Sequence, residues 1–230
     1  MAVDLNADVG EGFPDDERLL DVVTSANVAC GFHAGSVDTM RSVCAAAASR
    51  GVAIGAHPSY RDREGFGRRE LEVPVDVLRD DVAEQLAVLA EIAAGEGAQV
   101  TYVKAHGALY TRAIDDAEVA RAIVDAIVEH AVAVLAWPGS ELFEQARGAG
   151  LQAFAEGFAD RGYAGGRLVP RDRPGALLAA SEAALQAVAL AQTMGVQSIC
   201  VHGDSPGAAD LAAGVLAALK AAGIAVHRFA

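Results

Sequence analysis

A single parallel β/α barrel is the fold class the sequence predicts, and three observations lead to it. Short β-branched runs alternate with alanine-rich helical stretches along the whole chain, the pattern of parallel strands joined by crossover helices. Unusual polar residues follow nearly every one of those runs, and parallel barrels build their sites at that C-terminal edge. No Gly-x-Gly-x-x-Gly fingerprint follows a strand, which removes support for an open dinucleotide-binding sheet. The 230 residues suit one barrel. With no linker, repeat or low-complexity segment, residues 1–230 read as a single domain.

The elements follow in order. Strand runs are expected at 3–6, 26–30, 52–55, 100–103, 133–136, 151–154, 198–201 and 224–227. A seven-stranded or distorted ring is as compatible with these runs as a full one. Between the third and fourth, Leu78, Val82, Leu86, Leu89 and Ile92 recur at helical spacing and predict a helix from Val77 to Ala94. Val119, Ile123 and Ile127 predict the next helix, with Asp115 or Asp116 as its N-cap. Ser205 and Pro206 read as N-cap and first helical residue of an alanine-rich helix over 208–222. Gly51, Gly95, Gly150, Gly195 and Gly223 stand where left-handed C-caps precede a strand.

Composition limits the partners. A formal net charge of −13 argues against nucleic acid, which needs a basic surface. No apolar run reaches the roughly 20 residues that span a bilayer. No basic stretch followed by an apolar core opens the chain, so no signal peptide is expected. Cys30, Cys44 and Cys200 form no Cys-x-x-Cys pattern, and a reducing cytoplasm is the expected setting.

The candidate site collects at the strand ends. Asp4, Asn6 and Asp8 alternate, so they share one face of the first strand. They begin like a calcium loop, but Val9 stands where that loop needs glycine. A polar inner face on a barrel strand is costly without a task. Glu11 follows them. Four of the six histidines, His33, His57, His106 and His202, hold equivalent strand-end positions, and Asp204 follows the last. Such His and Asp groups are ligand types for zinc or manganese, but no His-Glu-x-x-His pair is present, so the metal is left open. Lys104 lies two residues from His106, on the same face; a lysine there must reach solvent or meet an anion. Arg161, Arg167 and Arg171 flank a glycine-rich loop and suit a carboxylate or phosphate. Arg68 and Arg69 read equally well as surface charges. There is no Gly-x-Ser-x-Gly elbow and no Walker A loop, and Cys30 and Cys200 read as core thiols. From the residues alone, the chain is an enzyme with an acid- and histidine-rich site for a small anion.

These motifs resemble one family. Asp4-Leu5-Asn6-Ala7-Asp8-Val9-Gly10-Glu11-Gly12-Phe13 is similar to the opening signature of the LamB/YcsF family, and Ser25 to Gly35 to its second motif. Gly55-Ala56-His57-Pro58, Gly65-Phe66-Gly67-Arg68-Arg69, Val103 to Tyr110, Phe158-Ala159-Asp160-Arg161 with Gly166 to Arg171, and Cys200 to Gly207 follow in family order. Ala7, Ser59 and Ala105 stand where the family usually has Cys, Gly and Pro. The 181–198 stretch is shorter than usual, which bears on contacts with partner subunits.

The resemblance implies a barrel related to glycoside-hydrolase-like and deacetylase barrels. It implies cleavage of 5-oxo-L-proline to L-glutamate coupled to ATP hydrolysis, with Mg²⁺, by a lactam-utilization protein that works with B and C subunits. Asp8 with His57 or His106 is then expected to supply the acid and base, with Asp4 and Glu11 in reserve. Asn6, His33, Lys104, Arg161, Arg171, His202 and Asp204 are expected to bind substrate, Lys104 holding its carboxylate or a phosphate. The alternatives are a stand-alone metal-dependent amide hydrolase or deacetylase and a non-catalytic small-ligand binding subunit.

Overall fold

A computed structural model describes residues 1–205 and 207–229. The chain opens with β1 (Ala2–Val9) and the short α1 (Asp16–Leu20), then β2 (Ser25–Ala29), α2 (Val37–Arg50), β3 (Ala53–His57) and α3 (Val75–Gly95). It continues through β4 (Val100–Val103), α4 (Gly107–Arg112), α5 (Ala117–Ile127), β5 (Ala133–Ala136), α6 (Glu141–Gly148) and β6 (Ala153–Phe158). A small hairpin of β7 (Tyr163–Ala164) and β8 (Arg167–Leu168) precedes α7 (Ala180–Thr193), β9 (Ser198–Val201), α8 (Ala208–Ala221) and β10 (Ala225–Val226).

Strands β1 to β6 and β9 pair in parallel, and β9 also pairs with β1, so seven strands close the barrel. The eighth expected run yields only β10. It pairs with Ala2 and Val3, ahead of the β1 residues taken by β9 and β2. Outward residues of β1, such as Leu5, Ala7 and Val9, join the apolar layer under the helices. The interior is different. Polar residues occupy its upper levels, and a small apolar cluster of Ala53, Tyr102, Ala133 and Leu135, with Phe154 and Phe229 packed against it, forms a second core. Gly55 makes room for Tyr102: a Cβ there would collide with the ring, which spans the interior to donate from its hydroxyl to Asn27 Oδ1 at 2.7 Å.

Local signals explain most boundaries. Asp116 caps α5 by accepting from the Glu118 and Val119 amides. Gly51, Gly150, Gly195 and Gly223 take the positive φ expected of them. Gly95 does not; it ends α3 itself, and Gly97 makes the left-handed turn. The last long helix starts at Ala208 behind a left-handed Gly207 rather than at Ser205, while Pro206 lies outside the described residues. The sixth strand runs on to Phe158, beyond the expected 151–154. Among the described residues, no helix is long and apolar enough to cross a membrane.

Candidate active site

The inward face of β1 builds the site from below. Asp4 lies deepest, accepting from the hydroxyls of Thr24 (2.6 Å), Ser25 (2.6 Å) and Ser198. Burial pushes its carboxyl up to about 6 although those donors pull it down. Asn6 lies one level up, donating to Ser198 Oγ (2.7 Å) and Glu156 Oε1 (3.3 Å) and accepting from Asn27 (2.7 Å). Asp8 is uppermost, and Asn27 Nδ2 donates to its Oδ1 at 2.8 Å.

Lys104 caps this ladder. It is 2% exposed, with Nζ 3.0 Å from Asp8 Oδ1, 2.9 Å from Glu156 Oε1 and 3.0 Å from Cys200 Sγ. Burial alone would lower the lysine pKa, but Asp8, Cys200 and Glu156 raise it well above the ordinary value. Burial likewise works to raise Asp8, and the Lys104 ammonium with His57 more than reverses it, holding the carboxyl well below the usual range. One buried cation thus meets two buried carboxylates, which leaves the cluster one negative charge in excess.

Three histidines form the next layer. His33 and His106 stack with centroids 3.8 Å apart, and His57 stands edge-on to both. His57 Nδ1 donates to Lys104 O at 2.8 Å and His106 Nε2 donates to Phe66 O at 2.8 Å. Burial first, then neighbouring imidazoles, lowers His33 and His106 well below the ordinary histidine value. Glu11 Oε1 lies 3.0 Å from His33 Nε2; burial, then the charges of Asp8 and Asp204, raises its pKa well above normal. Gly107, at φ +55, brings the start of α4 against the backbone of Gly67, seating the Phe66 turn over His106.

The opposite wall comes from the ends of β6 and β9. His202 Nδ1 faces both Asp160 oxygens, at 3.0 and 3.1 Å, and its ring stacks on Phe158. This fixes Nδ1–H toward Asp160 and leaves Nε2 as the free nitrogen. Asp204 is bound by Arg68 and by Arg171 Nη1 at 2.9 Å. Arg161 donates to Ala176 O (3.1 Å) and Val169 O (2.8 Å), which ties down the loop after the hairpin. Between the walls is a cavity of about 390 Å³ lined by Asp8, His57, Lys104, His106, His202, Phe158, Tyr110 and the guanidinium groups of Arg68, Arg161 and Arg171. That size accommodates a small molecule.

The LamB/YcsF family model matches residues 3–230. The chain belongs to the LamB/YcsF family. It is 48% identical to the A subunit of 5-oxoprolinase from Streptomyces avermitilis over 249 aligned positions, covering 99% of this chain and 100% of that protein. The corresponding protein of Streptomyces coelicolor is 49% identical with the same coverage. The lactam utilization protein from Thermus thermophilus superimposes with a TM-score of 0.90 at 36% identity, covering 100% of both chains. A family 4 carbohydrate esterase from Streptomyces lividans has a TM-score of 0.58 at 10% identity, covering 100% of this chain and 93% of that one; this likeness is one of fold.

Set in this family's barrel, the sequence-derived residues divide. Asp8, His57, Lys104, His106, Arg161, Arg171 and His202 reach the cavity. The expectation that Asp4 faces the mouth is corrected: a strand rises about 3.3 Å per residue, so alternating inward positions descend the barrel, and Asp4 is two steps below Asp8. Asn6 is corrected in the same way, lying beneath Lys104 and outside the cavity wall. His33 and Asp204 stand behind the wall and hold Glu11 and the two arginines. Lys104, expected to be free for a substrate anion, is already paired with Asp8 and Glu156.

Sequence reasoning assigned no role to Glu156, because the expected strand stopped at residue 154. Asp160, inside the Phe158–Arg161 motif, also received no role of its own, and Arg68 read equally well as a surface charge.

Asp4 provides a pH test. Its folded pKa lies above the ordinary carboxylate value, so its contribution to stability is full below about pH 4 and is lost as pH rises through about 6. Relative to Asp4→Asn, the wild-type chain should lose on the order of 2–3 kcal/mol of stability between pH 4 and pH 8. Urea unfolding at several pH values measures this; parallel pH profiles for the two proteins would remove the assignment.

Proposed function

We propose that this chain is the A subunit of an ATP-dependent, multi-subunit 5-oxoprolinase, cleaving 5-oxo-L-proline to L-glutamate together with B and C subunits. The observation that carries the reading is likeness along the whole chain to proteins named as the A subunit of 5-oxoprolinase. The cavity supplies groups suited to that reaction. A five-membered lactam is unstrained and amide-stabilised, so water attacks it slowly. Transfer of the ATP γ-phosphoryl group, with Mg²⁺, to the lactam oxygen would release ADP and make a better electrophile; water addition and cleavage of the ring C–N bond would then leave an acyl phosphate, which a second water hydrolyses to L-glutamate and phosphate. The chain lacks a Walker A loop, which fits nucleotide handling by the partner subunits or by an atypical site.

The remaining steps are assigned to residues that line the cavity. Arg68 and Arg171 present guanidinium groups to the cavity for the substrate carboxylate or the phosphoryl group. Without a bound cation, Asp8, kept ionised by Lys104, and His57, whose Nε2 lies 3.4 Å from Asp8 Oδ1, take the proton from the attacking water, with His106 beside them. His202, oriented by Asp160 on the facing wall, gives the leaving ring nitrogen a proton from Nε2 when its ring is doubly protonated, and the proton taken on the Asp8–His57 side returns to solvent. His57, His106, Asp8 and Glu11 are also donors of the right kind for a divalent cation, which would polarise water or a carbonyl oxygen when bound.

The convergence of those four groups favours a second reading, a stand-alone amide hydrolase. One assay separates the two: glutamate release from 5-oxo-L-proline by the chain alone and with B and C subunits, each with and without ATP and Mg²⁺. Turnover only in the complete ATP-containing mixture is expected. Equal turnover by the chain alone without ATP would replace the proposal by the second reading.

A further inference from the structure

Two of the three clustered imidazoles, His57 and His106, have their N–H fixed away from the common centre. His57 donates to Lys104 O and His106 to Phe66 O, and a carbonyl oxygen can only accept. The Ser59 hydroxyl, 3.0 Å from His33 Nδ1, can donate to that nitrogen, which leaves His33 Nε2–H to donate to Glu11 Oε1 at 3.0 Å. The inward atoms of the other two rings, His57 Nε2 and His106 Nδ1, therefore carry lone pairs. Those of His57 and His106 meet at 3.0 Å. Two lone pairs hold that separation only when a positive species lies between them. Carboxylates complete the ring: Asp8 Oδ1 is 3.4 Å from His57 Nε2, and Glu11 Oε1 is 3.3 Å from His106 Nδ1.

We propose that His57 Nε2, His106 Nδ1, Asp8 and Glu11 bind one divalent transition-metal ion of the zinc or manganese class, with His33 outside the coordination sphere orienting Glu11. Two imidazoles and two carboxylates are a donor set those ions take. A metal about 2.0–2.2 Å from two ligands at the tetrahedral angle leaves the ligand atoms about 3.3–3.5 Å apart. The 3.4 and 3.3 Å edges match this, and the 3.0 Å histidine edge opens by a small ring rotation. Metal-binding histidines ordinarily donate their other N–H to a carbonyl or carboxylate, as both rings do here. Lys104 and Glu156 already balance each other near Asp8, which leaves the Asp8 and Glu11 carboxylates to neutralise a dication. All four ligand residues are buried, so the site is a built one. The rival occupant of the same space is a single shared proton.

The test needs no turnover. The full-length chain, stripped with chelator, is loaded with Zn²⁺ or Mn²⁺, gel-filtered and analysed for metal, and its Tm is read with and without each ion. About one ion per chain and a raised Tm are expected, together with loss of the bound ion in His106→Gln and its retention in the helix-borne control Lys220→Gln. Should His106→Gln fail to fold, the visible spectrum of the Co²⁺-loaded wild-type chain takes its place, with absorption of a low-symmetry nitrogen–oxygen site expected. No retained metal, full retention by folded His106→Gln, or a Co²⁺ spectrum like that of the free ion in water would each overturn the site. The site shares its cavity with the proposed function, but the two fail separately. A chain that retains no metal yet supports 5-oxoproline cleavage sinks the metal site alone, and a loaded chain inert in the complete mixture sinks the function alone.

Discussion

Asp8→Asn is expected to fold, to assemble with its partner subunits and to lose at least about two orders of magnitude in turnover of 5-oxo-L-proline. The substitution keeps the shape and removes the charge. Lys104 retains Glu156 as a counter-ion, and Asn27 can still donate to the side-chain oxygen, so packing survives. What disappears is the carboxylate beside His57 Nε2. An acid–base group typically contributes about 10²–10⁴-fold in rate, which sets the expected size. Burial acts to raise this carboxyl and the lysine and His57 more than offset it, so Asp8 is ionised throughout the neutral range in the wild-type chain. Steady-state rates of the assembled enzyme, with circular dichroism as a check on folding, measure the effect. Near-normal turnover in a folded, assembled variant would remove Asp8 from the mechanism.

The second large effect is on stability. Lys104→Met should destabilise the chain by about 3–5 kcal/mol, because removing one partner of a buried ion pair leaves the other uncompensated. Here two carboxylates are left, Asp8 on β1 and Glu156 on β6, strands separated in the barrel only by β9. Adding Glu156→Gln to Lys104→Met should recover part of the loss, since one buried negative charge goes with it. Urea titration of wild type, both single variants and the double variant completes the cycle. A Lys104→Met chain as stable as wild type, and altered only in its response to substrate concentration, would restore the simpler role of a free substrate-binding lysine.

That reversal for Lys104 shows what the sequence could and could not convey. Polar residues interrupting apolar runs at the strand ends marked His57, His106 and His202, because such positions are costly unless used. The two-residue strand period placed Asp4, Asn6 and Asp8 on one face. It could not say which of them would reach the cavity until the start of the strand and its register with Ser25 and Ser198 were known. Lys104 was conspicuous, but its counter-ion Glu156 is distant in sequence and lay just past the expected end of its strand. Arg68 stood in a glycine-bearing motif, but nothing local told it from a surface charge. Its partner Asp204 is 136 residues away, and only closure of the barrel brings them together. The eight runs likewise exceeded the seven-stranded ring, because β10 reaches only the first residues of β1.

The most direct measurement is the position of bound 5-oxo-L-proline in a crystal of the chain, alone or with its partner subunits. The ring is expected in the mouth cavity, between the His57–His106 wall and the His202–Phe158 wall. Its carboxylate should lie within hydrogen-bond reach of Arg68 or Arg171, and its amide within reach of Asp8 or His202. A ligand bound outside this cavity, with Asp8 and His202 both out of reach of the lactam, would contradict the proposed role of the site.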